Sequence, residues 1–319
     1  MVSGLIIVSY TTISSFQIPL HTTATMKSAS ALACVAALAA TTYAHPPSYP
    51  HKPTPSPTPS PGFSQKWNLA NFTSLVVFGD SYTDDSRLGY FINHNGSAPP
   101  VAYANPESFS ASTGGRTWAE YVKAYTGANL YNYAVSGAVC SNEITPRYFS
   151  AIHAPFPDIQ SYELPAFLAD SAYYYPNGTK FMNNPVDGTV YAIWIGTNDL
   201  GYSAFVQDEQ VAGTNLTTYV DCVYDQLSRV YANGGRNFVI MNVAPLNLAP
   251  IYEAEPYSIG NNQYWNNRTD NFTETSGRML EEVVTVNAIF DYRTPFAVEI
   301  AKKYPGSSFA VYNVHDLVS

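Results

Sequence analysis

The chain has 319 residues, of which 46% are apolar, enough to build a large core, so wholesale disorder is excluded. Fifteen Lys and Arg stand against 24 Asp and Glu, a formal charge of −9. So few cations argue against nucleic-acid binding, which needs them clustered on the phosphates. Three Cys are too few for a disulfide scaffold.

Residues 1–44 read as a signal region. From Met26 the chain runs MKSASALACVAALAATTYA, with Lys27 ahead of an apolar stretch at 31–40 and small Ala44 at its end. That order is a secretory signal and cleavage site. It is too short for a bilayer span, so no stable membrane insertion is expected. Met26 reads as the true start and the stretch before it as an extension. Residues 45–62 follow as a spacer in which eight of 18 residues are Pro, with Ser and Thr between them. Such a segment is extended and polyproline-like. Six sequons, at Asn71, Asn95, Asn177, Asn215, Asn267 and Asn271, fit a secreted glycoprotein. Outside the signal only Cys140 and Cys222 remain. An oxidising compartment permits a bridge between them, but spacing alone leaves it open.

From residue 63 to 319 short apolar runs alternate with helical stretches. Leu75–Phe78, Leu130–Val135, Val190–Ile195, Phe238–Val243 and Phe309–Val314 read as strands. Near-continuous apolar strands mean burial on both faces, as in a parallel sheet covered by helices. Arg116–Tyr125, Thr217–Ala232 and Ser276–Tyr304 read as helices, the last broken or kinked at Pro295. The order predicts a three-layer, doubly wound α/β/α domain with a five-stranded parallel sheet. Chemistry in such sheets sits at the C-terminal strand ends.

The first strand runs out in Phe78-Gly79-Asp80-Ser81. The second ends Asn132-Tyr133-Ala134-Val135-Ser136-Gly137-Ala138. The third ends Ile195-Gly196-Thr197-Asn198-Asp199. Three strand tips thus carry a hydroxyl, a glycine N–H and a side-chain amide. Acyl transfer needs that set, an attacking oxygen with convergent donors for an oxyanion. Taken singly, each is an ordinary turn or helix cap. Their order at successive strand ends gives them meaning. No Gly-x-Ser-x-Gly elbow, P-loop, Gly-x-Gly-x-x-Gly or His-Glu-x-x-His is present. No cofactor or metal is therefore expected.

On these three motifs the chain resembles the GDSL, or SGNH, hydrolase family over about residues 66–319, and looks most like its secreted fungal esterase branch. The resemblance implies a flavodoxin-like fold and a serine esterase of the short-acyl, acetylesterase or lipase type, acting on small or carbohydrate esters. It implies Ser81 as the nucleophile. The Ser81 N–H, the Gly137 N–H and the Asn198 amide then form the oxyanion hole. A monomer is the expected state.

The family's base is a His preceded three residues earlier by Asp, beyond the fifth strand. No Asp-x-x-His occurs in these 319 residues. The domain therefore reads as lacking its C-terminal Asp-x-x-His segment. The alternatives are a catalytically inactive, glycan-binding homologue and a truncated gene-model fragment. His94, His153 and His315 are poor substitutes as a base. Aromatic residues are concentrated in an insertion over Cys140–Gly188, at Tyr148, Phe149, Phe156, Tyr162, Phe167 and Tyr173–Tyr175, and again at Tyr264 and Trp265. They either line a cleft or cover core.

Overall fold

The computed structural model describes residues 72–319 apart from Ser110, Ser112 and Thr113. The signal region, the Pro-rich spacer and the sequon at Asn71 lie outside the described residues.

The strands are β1 (Ser74–Gly79), β2 (Asn129–Asn132), β3 (Tyr148–Phe149), β4 (Ala154–Pro155), β5 (Thr189–Trp194), β6 (Asn237–Met241) and β7 (Ser308–Tyr312). The helices are α1 (Arg87–Asn93), α2 (Trp118–Thr126), α3 (Leu164–Ala172), α4 (Thr197–Leu200), α5 (Leu216–Ala232), α6 (Phe272–Pro295) and α7 (Val314–Val318). Five strands make one parallel sheet in the order β2-β1-β5-β6-β7, and β3 pairs antiparallel with β4 as a small hairpin in the insertion.

The central strands β1 and β5 are buried on both faces, which is why they read as continuous apolar runs. Along β1, Val76 and Phe78 point into a large core shared with Phe167 of α3, Leu227 of α5 and Phe290 of α6. Leu75 and Val77 point the other way, against Ala119 and Trp118 of α2. The chain is thus a three-layer α/β/α sandwich. The strand order reverses between β1 and β5, the neighbours that carry two of the three motifs. That reversal is where open α/β sheets place their sites.

Local signals set the long helices. Asn215 caps α5: its side-chain carbonyl accepts from Thr217 N–H and Thr218 N–H, and the Thr218 hydroxyl accepts the Asn215 N–H. Asn271 caps α6 in the same manner through Thr273 N–H and Glu274 N–H. That helix starts four residues before the expected Ser276, and its α-helical part ends at Pro295. A π-helical turn, Phe296–Ile300, follows. Proline has no N–H to give to the helix ladder, so the hydrogen-bond register changes there.

The second strand is shorter than expected. It leaves the ladder after Asn132, although Tyr133 N–H and Val135 N–H still donate to Val77 and Gly79 of β1. Cys140 and Cys222 are joined, with Cα atoms 6.3 Å apart. The bridge ties the start of the insertion to α5. Among the described residues no helix is long and apolar enough to cross a membrane.

Candidate active site

Ser81 stands two residues past β1, in the turn toward α1. Gly79 makes that turn possible, since a Cβ there would lie 2.3 Å from the Trp194 carbonyl of β5. Gly137 follows β2, and Asn198 opens α4 behind β5. All three are half-buried and line one cavity of about 880 Å³ at the C-terminal end of the sheet. The structure therefore brings together the three residues named from the strand tips.

The segment Val135–Cys140, which carries the Gly137 N–H, is held at almost every residue. Val135 N–H donates to Glu163 Oε1 at 3.1 Å. Ser136 N–H donates to Asp84 Oδ2 at 2.8 Å. The Gly137 carbonyl accepts from Arg147 Nη1 at 3.0 Å. Ala138 N–H donates to the Val135 carbonyl, and the Ala138 carbonyl accepts from Asn198 Nδ2 at 2.8 Å. Cys140 N–H donates to Asp199 Oδ1 at 2.9 Å. Donors fixed this way require little reorganisation when charge develops beside them.

Asn198 has two amide hydrogens. One serves Ala138, and the amide is thereby oriented with the other still available. Glu163 spans two strand tips, accepting Gly79 N–H at 2.9 Å as well as Val135 N–H. Asp84 also accepts from the N–H groups of Ser86, Arg87 and Leu88, so one carboxylate joins the start of α1 to the Gly137 loop.

Three acids that neighbour these loops, Asp80, Asp199 and Glu163, are fully buried. Burial pushes Asp80 up to about 7, against the pull of the Tyr82 N–H and the Arg147 cation. Burial likewise pushes Asp199 up to about 7, and the nearby Asp80 charge adds to it. Glu163 is raised well above the usual carboxylate range, chiefly by burial.

The histidines lie elsewhere. His94 stacks on Tyr90 and bonds its carbonyl at the exposed end of α1. His153 is exposed in the insertion. His315 lies in α7, beyond the end of β7, with Nδ1 3.0 Å from Asp316 Oδ1. β7 is three strand spacings from β1, about 14 Å across the sheet, and His315 is not among the residues that line the cavity. Among the described residues no histidine lines the cavity.

The aromatic residues divide between the two expected roles. Tyr148, Phe149, Phe156 and Tyr264 line the cavity. Phe167 and Trp265 are buried core, and Tyr162 binds Arg87. Tyr202 and Tyr252, both in the lining, were not singled out by the sequence. Nor were Asp84, Arg147 and Glu163, which hold the loops. Nothing in their spacing distinguishes them from surface polar residues.

The profile of GDSL-like lipases and acylhydrolases matches residues 75–295. The chain belongs to this family. It is accordingly a hydrolase of ester bonds. An acetylesterase of Hypocrea jecorina is 42% identical over 252 residues, covering 78% of this chain and 70% of that protein. An acetylesterase of Thermothelomyces thermophilus is 26% identical over 181 residues, covering 55% of each. A solved carbohydrate esterase aligns at a TM-score of 0.35 and 15% identity, over 76% of this chain and 56% of the other. The GDSL match spans all three motifs, from the Ser81 turn through the Gly137 loop to α4.

Proposed function

We propose that the chain is a secreted serine carboxylic-ester hydrolase for short acyl groups, acetyl esters foremost. The observation that carries the reading is the meeting of Ser81, Gly137 and Asn198 on one cleft, with the intervening loop pinned residue by residue. Ser81 Oγ attacks the acyl carbonyl and passes its proton to water in the open cleft, since no described histidine lines it. The carbonyl oxygen becomes an oxyanion between Ser81 N–H, Gly137 N–H and the Asn198 amide. Collapse expels the alkoxide, which takes a proton from that water and leaves as the alcohol, and a second water then hydrolyses the acyl-serine, returning a proton to Ser81 Oγ and releasing the acid. The acetylesterase names of the two relatives favour a small acyl group. Tyr148 and Tyr264, 66% and 69% exposed at the rim, suit a flat or cyclic alcohol portion such as a sugar. The signal at 26–44 and the sequons support secretion.

The test is turnover of p-nitrophenyl acetate by the full chain. Ser81→Ala should abolish it, and Asn198→Ala should slow it by about 10²–10³. Equal rates for Ser81→Ala and the parent chain would end this reading.

A further inference from the structure

Arg147 belongs to none of the three motifs, yet it is the one charged side chain among the described residues that line the cleft. It comes from the insertion, immediately before β3. Its Nη1 donates to the Gly137 carbonyl at 3.0 Å. Its guanidinium carbon lies 5.2 Å from the centroid of the Phe156 ring, within cation–π range. That ring fills the space in front of Gly137, where a Cβ would meet it at 2.4 Å. Arg147 is itself fixed. Its N–H donates to Asn142 Oδ1 at 2.9 Å, and its carbonyl accepts Phe156 N–H at 2.8 Å.

Gly137 needs such partners. It has φ +86° and no side chain, so unaided it would sample a wide range of conformations. Asp84 holds the preceding N–H, that of Ser136. Arg147 holds the following carbonyl. Together they anchor the peptide planes on either side of the Ser136–Gly137 peptide, which carries the Gly137 N–H.

We propose that Arg147 is a positioning residue that directs the Gly137 N–H toward the oxyanion. The proposal rests on the reading of Gly137 as an oxyanion donor. An arginine suits the task because its planar fork can lie on the Phe156 ring while donating to the Gly137 carbonyl. A lysine ammonium cannot do both.

The test uses Arg147→Gln and Arg147→Lys in the full chain, with two readouts. In p-nitrophenyl acetate hydrolysis, Arg147→Gln lowers kcat about 10- to 100-fold with KM changed less than about twofold, as misdirection of a transition-state donor requires. Arg147→Lys stays within about threefold of Arg147→Gln, because charge without the fork does not restore the geometry. In NMR relaxation, the Gly137 amide order parameter falls from about 0.85 to below about 0.6, while the amides of Val135 and Ser136 keep theirs. An unchanged Gly137 order parameter overturns the proposal, as does a loss confined to KM. If Ser81→Ala proves as active as the parent chain, the serine reading fails by itself. The order parameter then still decides whether Arg147 holds Gly137. Where Arg147→Gln does not fold, Arg147→Lys carries both readouts.

Discussion

Gly137→Ala is the most informative single change to the oxyanion loop. The added methyl would lie 2.4 Å from Cε1 and 2.6 Å from Cδ1 of Phe156. The ring is held by two neighbours and can yield only toward the cleft it lines. Phe149 stacks on it with centroids 4.4 Å apart and planes within 14°, and Arg147 lies over it. Overpacking of this kind costs about 1–3 kcal/mol. The backbone adds to it, because φ is +86° at this position, and a left-handed conformation costs a residue with a side chain about 1–2 kcal/mol. The total is about 2–5 kcal/mol. For a domain of this size the melting temperature falls by about 4–20 °C. Thermal and urea unfolding of Gly137→Ala, Phe156→Ala and the double variant separate the two parts. Removing the ring relieves the clash and leaves the backbone cost. The double variant is then less destabilised than the sum of the singles by about 1–3 kcal/mol. A melt within about 1 °C of the parent for Gly137→Ala, or strict additivity in the cycle, refutes the reasoning.

Other predictions follow from the bridge, the buried acids and the cleft lining. The Cys140–Cys222 bridge closes a loop of 82 residues, so replacing both with Ala costs about 4.5 kcal/mol and lowers the melt by about 9–18 °C, read by calorimetry; a shift of about 1 °C or less contradicts this. Asp80 and Asp199 are both pushed up to about 7 from 3.8. Between about pH 4 and 7 the folded chain therefore binds more protons than the unfolded one, and stability falls as pH rises through that window. Melting should be several degrees higher at pH 5 than at pH 8, and the reverse order would remove the buried acids from the account. Free imidazole should raise p-nitrophenyl acetate turnover above the Ser81→Ala background, since no described histidine lines the cleft and a general base contributes about 10²–10⁴. A parent chain that gains no more from imidazole than Ser81→Ala does refutes this.

The sheet was legible because burial on both faces leaves an apolar run that needs no partner to be recognised. Ser81, Gly137 and Asn198 were legible because each follows such a run directly, and strand ends place chemistry. Legibility stopped where contacts join distant parts of the chain. Glu163 meets Gly79 across 84 positions, and Arg147 finds Gly137 only because the insertion folds back over the strand tips. The pairing of Cys140 with Cys222 depended on where α5 lands against the insertion, so spacing left it undecided. Of the aromatic residues, Phe167 and Tyr148 look alike in sequence. Only packing sends one into the core and leaves the other at the rim.

The caps of α5 and α6 bear on how sugar attachment at these sites should be mapped. Asn215 and Asn271 are at once sequon residues and helix caps, and the cap uses the side-chain oxygen. The side-chain nitrogen, where a glycan would be joined, is left out of the cap. Asn→Gln scanning at these two positions would therefore strip a cap worth about 1 kcal/mol along with any sugar, and a drop in secretion or melting would be ascribed to the wrong loss. Replacing the sequon threonine of the second site, Thr273→Ala, spares the cap on α6. Enzymatic removal that leaves Asp in place of Asn spares both helices, because Asp caps as well as Asn.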